Sequence, residues 1–201
     1  MISFRPSEIS NLDKIGNLII YLVDGIKKKY EQNTYLTKLL KLLYIIDETS
    51  VKETGAPVTG LNYRVWKMGP VAYEVYKDFV FDKSNQFATF AEGKKSSDKI
   101  TGNDIVKIES VNKFDDSEFS DYEIELMNKV IDQYGNLDSE ALINLLHEKG
   151  GLWDRIVEAN HLMTTFEKQP TTDYRIDLSE ILGNDKYKRE LFKNSSDSLK
   201  L

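Results

Sequence analysis

Two stretches of the chain repeat apolar residues at three- and four-residue steps, and nothing else in it narrows the possible folds as much. In the first, Ile15, Leu18, Ile19, Leu22, Val23 and Ile26 follow Asn11 or Asp13 as a capping residue. In the second, Leu36, Leu39, Leu40, Leu43 and Ile46 follow Thr34 in a helix over residues 36–52. Each spacing lays one apolar stripe along a helix, so two long helices must pack on something. Lys27, Lys28 and Lys29 fall in the last turn of the first, where cations complement the helix dipole; we prefer this reading to a nucleic-acid patch. On the second helix Lys38, Lys41 and Glu48 project opposite the stripe. Asp47 falls within it, beside Leu36, Leu40 and Leu43, where a carboxylate without a donor would be costly. It must cap a neighbouring loop, accept from a Tyr or Trp, meet water or touch a partner.

Gly55-Ala56-Pro57-Val58-Thr59-Gly60 ends that helix with residues suited to turns and positive φ angles. Residues 61–68 then alternate, with Leu61, Tyr63, Val65 and Lys67 on one side and Asn62, Arg64, Trp66 and Met68 on the other. Neither side is cleanly polar, which predicts a strand touching protein on both faces. Gly69 permits a tight bend, and Pro70 suits the first position of a helix striped with Val71, Val75, Tyr76, Phe79 and Val80. Residues 86–90 and 105–110 read as short strands flanking a polar loop; with the Tyr63 strand they predict one small antiparallel sheet. Ser120 and Glu123 have capping-box spacing ahead of Ile124, Met127, Val130 and Ile131, and Gly135 closes that helix. Asp138 or Ser139 opens another through Leu142, Leu145 and Leu146 to Gly150-Gly151, and shorter helices are predicted at 153–159, 179–182 and 185–193. The predicted fold class is α+β, predominantly helical: a helical bundle with a small antiparallel β-sheet. A chain of 201 residues suits one domain, expected over 1–193, with 194–201 as a flexible tail and 91–103 as a second mobile segment.

Composition removes several classes of function. With 27 Lys and Arg against 33 Asp and Glu the net charge is −6, which opposes non-specific binding to a phosphate backbone. The chain has no Cys, so disulfides, thiolate-ligated zinc, iron–sulfur clusters and thiol nucleophiles are excluded from it. The longest apolar run tested, residues 18–23, is far short of the roughly 18 residues a membrane-spanning helix needs. Arg5 and the acids before Lys14 precede no apolar run with a small-residue cleavage site, which leaves the cytoplasm as the default location.

Catalytic and cofactor motifs fail on spacing. Gly93-Lys94-Lys95-Ser96 lacks the first glycine of a phosphate-binding loop, where Ala88 stands, and Lys94, the lysine after Gly93, is not followed directly by Ser or Thr. His147-Glu148 would open a zinc-binding H-E-x-x-H sequence, but Gly151 replaces the second histidine. No G-x-S-x-G turn is present, so no catalytic residue, cofactor or metal is assigned. A DNA-reading helix pair needs a basic second helix, and the helix after Asp138 is not basic. Tyr63, Arg64, Trp66 and Lys67 suit a packed core, a protein interface or a stacking platform for nucleic acid; aromatic and Arg side chains make them the candidates for partner contact.

Read together, the lysine-led, leucine-rich helix of residues 41–47, the turn and strand of residues 55–66 and Gly69-Pro70-Val71 resemble the Panacea domain of SocA-like antitoxins. Glu140-Ala141-Leu142, Leu146-His147-Glu148 and Trp153 are similar to the late helix of that family, with its histidine and following tryptophan, although Leu146 stands where Thr is often found. The resemblance spans residues 12–181 and implies a mainly α fold with a small β element. Within these motifs Gly55, Gly60, Gly69 and Pro70 serve backbone geometry, and Asp47, His147 and Trp153 are expected to be structural. The resemblance implies an antitoxin that binds and neutralises a cognate protein toxin, frequently a translation inhibitor encoded beside it, without being an enzyme. Some relatives instead deliver the toxin to an ATP-dependent protease, and others carry a DNA-binding module that is not expected here. A third reading, an enzyme acting on a nucleotide or a modified toxin, would set Asp47, His147 and Trp153 around a pocket. The acidity implies electrostatic steering toward a basic toxin, with association slowing as salt rises.

Overall fold

A computed structural model of the chain describes residues 11–81, 85–97, 102 and 104–198. Arg5, part of the polar 91–103 segment and the last three residues of the expected tail lie outside them. The described elements begin with helix α1 (Leu12–Tyr30), strand β1 (Thr34–Tyr35), helix α2 (Leu36–Thr54), strands β2 (Tyr63–Trp66) and β3 (Gly69–Ala72) and helix α3 (Tyr73–Phe81). Strands β4 (Ala91–Ser97) and β5 (Asp104–Ser110) follow, then α4 (Asp121–Tyr134), α5 (Ser139–Leu146), α6 (Leu152–Ala159) and α7 (Leu162–Phe166). Strand β6 (Arg175–Ile176), a 3-10 turn (Leu178–Leu182) and α8 (Lys186–Ser198) complete the order. The fold is α+β and predominantly helical.

Helix α2 is the hub, packed by α1, α3, α4, α5, α8, the 3-10 turn and three strands. Leu39, Leu42, Leu43 and Ile46 are fully buried on it. Every residue of this helix from Lys38 to Asp47 is buried. Lys38 and Lys41, expected to project away from the core, are instead buried at 4% and 1% exposure. The Lys38 ammonium donates to the Gly135 carbonyl that ends α4 (2.6 Å), and that of Lys41 donates to the Pro70 carbonyl (2.8 Å). Each lysine is tolerated because its charge meets an otherwise open carbonyl. Helix α4 starts on a capping box in which Ser120 and Glu123 satisfy each other's backbone N–H groups. Lys14 pairs with Glu123 at 2.7 Å, tying α1 to that end.

The β structure differs from the single sheet expected. One sheet has the order β1-β5-β4 and the other β3-β2-β6, all antiparallel. Pro70 does not open a helix: it lies in edge strand β3, where its missing N–H leaves no ladder bond unmade, and α3 starts at Tyr73. Residues 86–90 form turns rather than a strand, because the Asp78 carboxylate accepts from the backbone N–H groups of Gln86 (2.9 Å) and Phe87 (3.1 Å). The polar residues Ala91–Ser97, expected to be a mobile loop, form β4 along the whole length of β5. Helix α8 runs on through Ser198, into the segment expected to be a tail.

Candidate functional site

The site is built on β2, whose four residues divide cleanly between two faces. Tyr63 and Val65 are 1% and 0% exposed, whereas Arg64 and Trp66 are half-buried on the other side. Tyr63 therefore leaves the set of partner-contact candidates. Its hydroxyl donates to the Asp47 carboxylate at 2.8 Å and lies 3.0 Å from the Leu43 carbonyl, while its ring meets Tyr44 edge-on at 5.1 Å.

Asp47, wholly buried, also accepts from the Thr59 backbone N–H (2.8 Å) and the Thr59 hydroxyl. The loop from Gly55 to Gly60 delivers Thr59 to it. Gly55 ends α2 at φ +86°, and a Cβ there would come within 2.9 Å of the Lys188 backbone. Burial raises the Asp47 pKa, opposed by the donors from Thr59 and Tyr63. It fastens the loop and β2 to α2.

At the other end of β2 four more motif residues converge. Gly69 has φ +93°, and a Cβ placed on it would lie 3.3 Å from Lys41 Nζ and 3.5 Å from His147 Nε2. Both nitrogens thus face the turn. His147 stacks on Trp153 with ring centroids 3.7 Å apart, and Trp153 Nε1 donates to the Trp66 carbonyl at 3.0 Å. Among the described residues His147 Nε2 is buried and has no hydrogen-bond partner. Burial, then the Lys41 charge, pushes the His147 pKa down to about 4; burial pushes Lys41 down to about 7. The two shoulders of the β2–β3 turn are therefore gripped through backbone carbonyls, Trp66 by α6 and Pro70 by α2.

No hydrogen bond joins Asp47 to His147 among the described residues: Lys41, not Asp47, shares the environment of His147. A nearby groove of about 380 Å³ is bordered by Tyr44, Glu48, Lys52 and Trp153 and includes neither Asp47 nor His147.

The outer face of β2 carries an aromatic shelf. The Trp66 ring meets Tyr76 edge-on at 4.7 Å and Tyr73 at 6.4 Å, and Tyr76 meets Phe81, itself 49% exposed, at 6.1 Å. The Arg64 guanidinium lies 3.5 Å over the Tyr73 ring and 2.5 Å from the exposed Asp173 carboxylate. Trp66 Nε1 donates to the Thr172 carbonyl at 3.2 Å, fixing the ring. Lys67 and Met68 are exposed at the turn beyond. Of the four residues expected to meet a partner, Arg64, Trp66 and Lys67 are accessible. Tyr76 was read only as part of an apolar stripe, and Tyr73, Phe81 and Asp173 carried no signal until the chain brought them together.

Among the described residues no helix is long and apolar enough to cross a membrane, and no group of three or more His, Cys, Asp or Glu side chains could hold a metal ion. The family described as antitoxin SocA-like, Panacea domain, matches residues 39–154, a shorter span than 12–181. The match runs from α2 through Trp153 and so takes in both carbonyl grips and the aromatic shelf. No curated protein and no solved structure matches the chain.

Proposed function

We propose a function from one premise: the chain belongs to the SocA-like antitoxin, Panacea domain family. It acts in the cytoplasm as an antitoxin that binds a cognate protein toxin, a translation inhibitor, and silences it by occupancy without turnover. The observation that carries this reading is the partly exposed shelf of Trp66, Tyr73, Tyr76 and Phe81, with Arg64 stacked on it, which spans β2 and α3 beside a turn whose shoulders are held. Aromatic rings and Arg are the side chains that most often dominate binding energy at protein interfaces. A standard interface of about 1,600 Å² is ample to cover a toxin's active site. An enzymatic role finds less support in the buried cluster, because the Lys41 amine is 1% exposed and engaged by the Pro70 carbonyl.

The test uses the toxic protein encoded beside this chain in a cell-free translation reaction that contains no ATP-dependent protease. Purified antitoxin is expected to restore protein synthesis at near-equimolar amounts. Tyr76→Ala and Phe81→Ala are expected to weaken binding by tenfold or more, the range of a hot-spot truncation. Restoration only when a protease is added would replace occupancy by delivery, and full activity in both variants would remove the shelf from the interface.

A further inference from the structure

We infer that the outer face of β2 recognises a carboxylate of the toxin through Arg64 and Arg175, and that Asp173 occupies the place of that carboxylate in the unbound protein. The inference rests on the occupancy reading and adds the chemistry of the contact.

The register of β2 and β6 sets Tyr63 opposite Ile176 and Arg64 opposite Arg175. Tyr63 and Ile176 are both buried, so the arginines share the outer face. Like charges directly opposite across an antiparallel pair disfavour the pairing unless an anion lies between or beside them. In the described residues Asp173 supplies one carboxylate to Arg64, and Arg175 has no ion pair. The Asp173 side chain is 93% exposed, and an ion pair that open to water holds its acid weakly. Arg64 is better fixed than its partner: Tyr73 lies beneath its plane, and its bond to Asp173 runs through Nη1 alone. A guanidinium fork held flat, with donors to spare, matches a carboxylate from outside.

Two lysines flank the same face. Lys67 is exposed at the turn, and Lys77 Nζ lies 6.0 Å from the Tyr73 ring centroid. Arg64, Arg175, Lys67 and Lys77 thus stand on or beside this face of a molecule whose net charge is −6. A nucleic acid would meet the repulsion of the whole chain along its length, whereas an acidic side chain of a protein meets mainly the local field.

Three variants and one small probe test the inference. Asp173→Asn removes the internal competitor and is expected to tighten toxin binding about threefold to tenfold. Arg64→Lys, which keeps the charge and loses the fork, and Arg175→Gln are each expected to weaken it about tenfold. Independently of the toxin, N-acetylglutamate is expected to shift the Nε–H resonances of Arg64 and Arg175 in NMR titrations, at lower concentration in Asp173→Asn. If Asp173→Asn binds toxin no better while Tyr76→Ala still loses it, the carboxylate inference falls and the shelf stands. If Tyr76→Ala and Phe81→Ala both bind normally, the shelf reading falls, and the titration alone then supports or rejects the arginine site. A short RNA that moves both arginine resonances where N-acetylglutamate moves neither would overturn the protein carboxylate in favour of nucleic acid.

Discussion

The two faces of β2 do opposite things with charge. On the inner face one carboxylate, Asp47, is sealed from water and saturated by donors from Thr59 and Tyr63. On the outer face the strand register sets Arg64 opposite Arg175, and the acid that Arg64 meets, Asp173, is 93% exposed. Saturation suits a joint that must hold; an unmet charge suits a surface that must receive. Alternation along four residues is enough to separate the two tasks.

The comparison breaks most severely at Asp47. Asp47→Ala strands buried donors from Thr59 and Tyr63 and is expected to lower stability by about 3 kcal/mol or more, read from urea unfolding, because each unmet buried donor costs about 1–3 kcal/mol. A loss under 1 kcal/mol would show that the inner face does not fasten the strand.

Lys41 sharpens the inner side through pH. Its folded value of about 7 lies below its ordinary 10.5. Between those two values the unfolded chain holds a proton that the folded chain has released, so stability must rise with pH across that window and level off outside it. The rise is expected to reach a few kcal/mol. Lys41→Met, compared with the native chain from pH 6 to 10.5, is expected to lack this component; parallel curves would mean that Lys41 titrates normally.

The smallest effect belongs to the outer side. Arg175→Glu puts an acid opposite Arg64 and is expected to raise stability by up to about 1 kcal/mol, the range of a cross-strand pair of opposite charge. Toxin affinity should fall in the same variant. Thermal unfolding and binding measured together would reveal this opposition, and a variant that is both less stable and equally tight would remove it.

How much of this was visible in the sequence depended on periodicity. The stripes of α1 and α2, the capping box of α4 and the alternation of β2 are local patterns, and they place those elements directly. Asp47 could be located on an apolar face by projection, although its donors could not be named. Lys41 was missed for a physical reason: projection assumes that a helix has a wet side, and α2 is buried at every position from Lys38 to Asp47. Pro70 fits a helix start and an edge strand equally well, and only the β2–β3 register decides between them. Strand β4, written in Glu, Gly, Lys and Ser, has no apolar alternation and owes its state to pairing with β5. Arg175 lies in a two-residue strand, too short for any pattern, so its place opposite Arg64 emerged only from the pairing.

The grips on the Trp66 and Pro70 carbonyls have a consequence for change over generations. They hold main-chain atoms, which every residue type supplies, and ask nothing of the side chains at Lys67 and Met68. Replacements at the tip are therefore expected to leave the shape of the loop intact, and under the proposed function they would change what the protein meets without its first having to relearn how to fold.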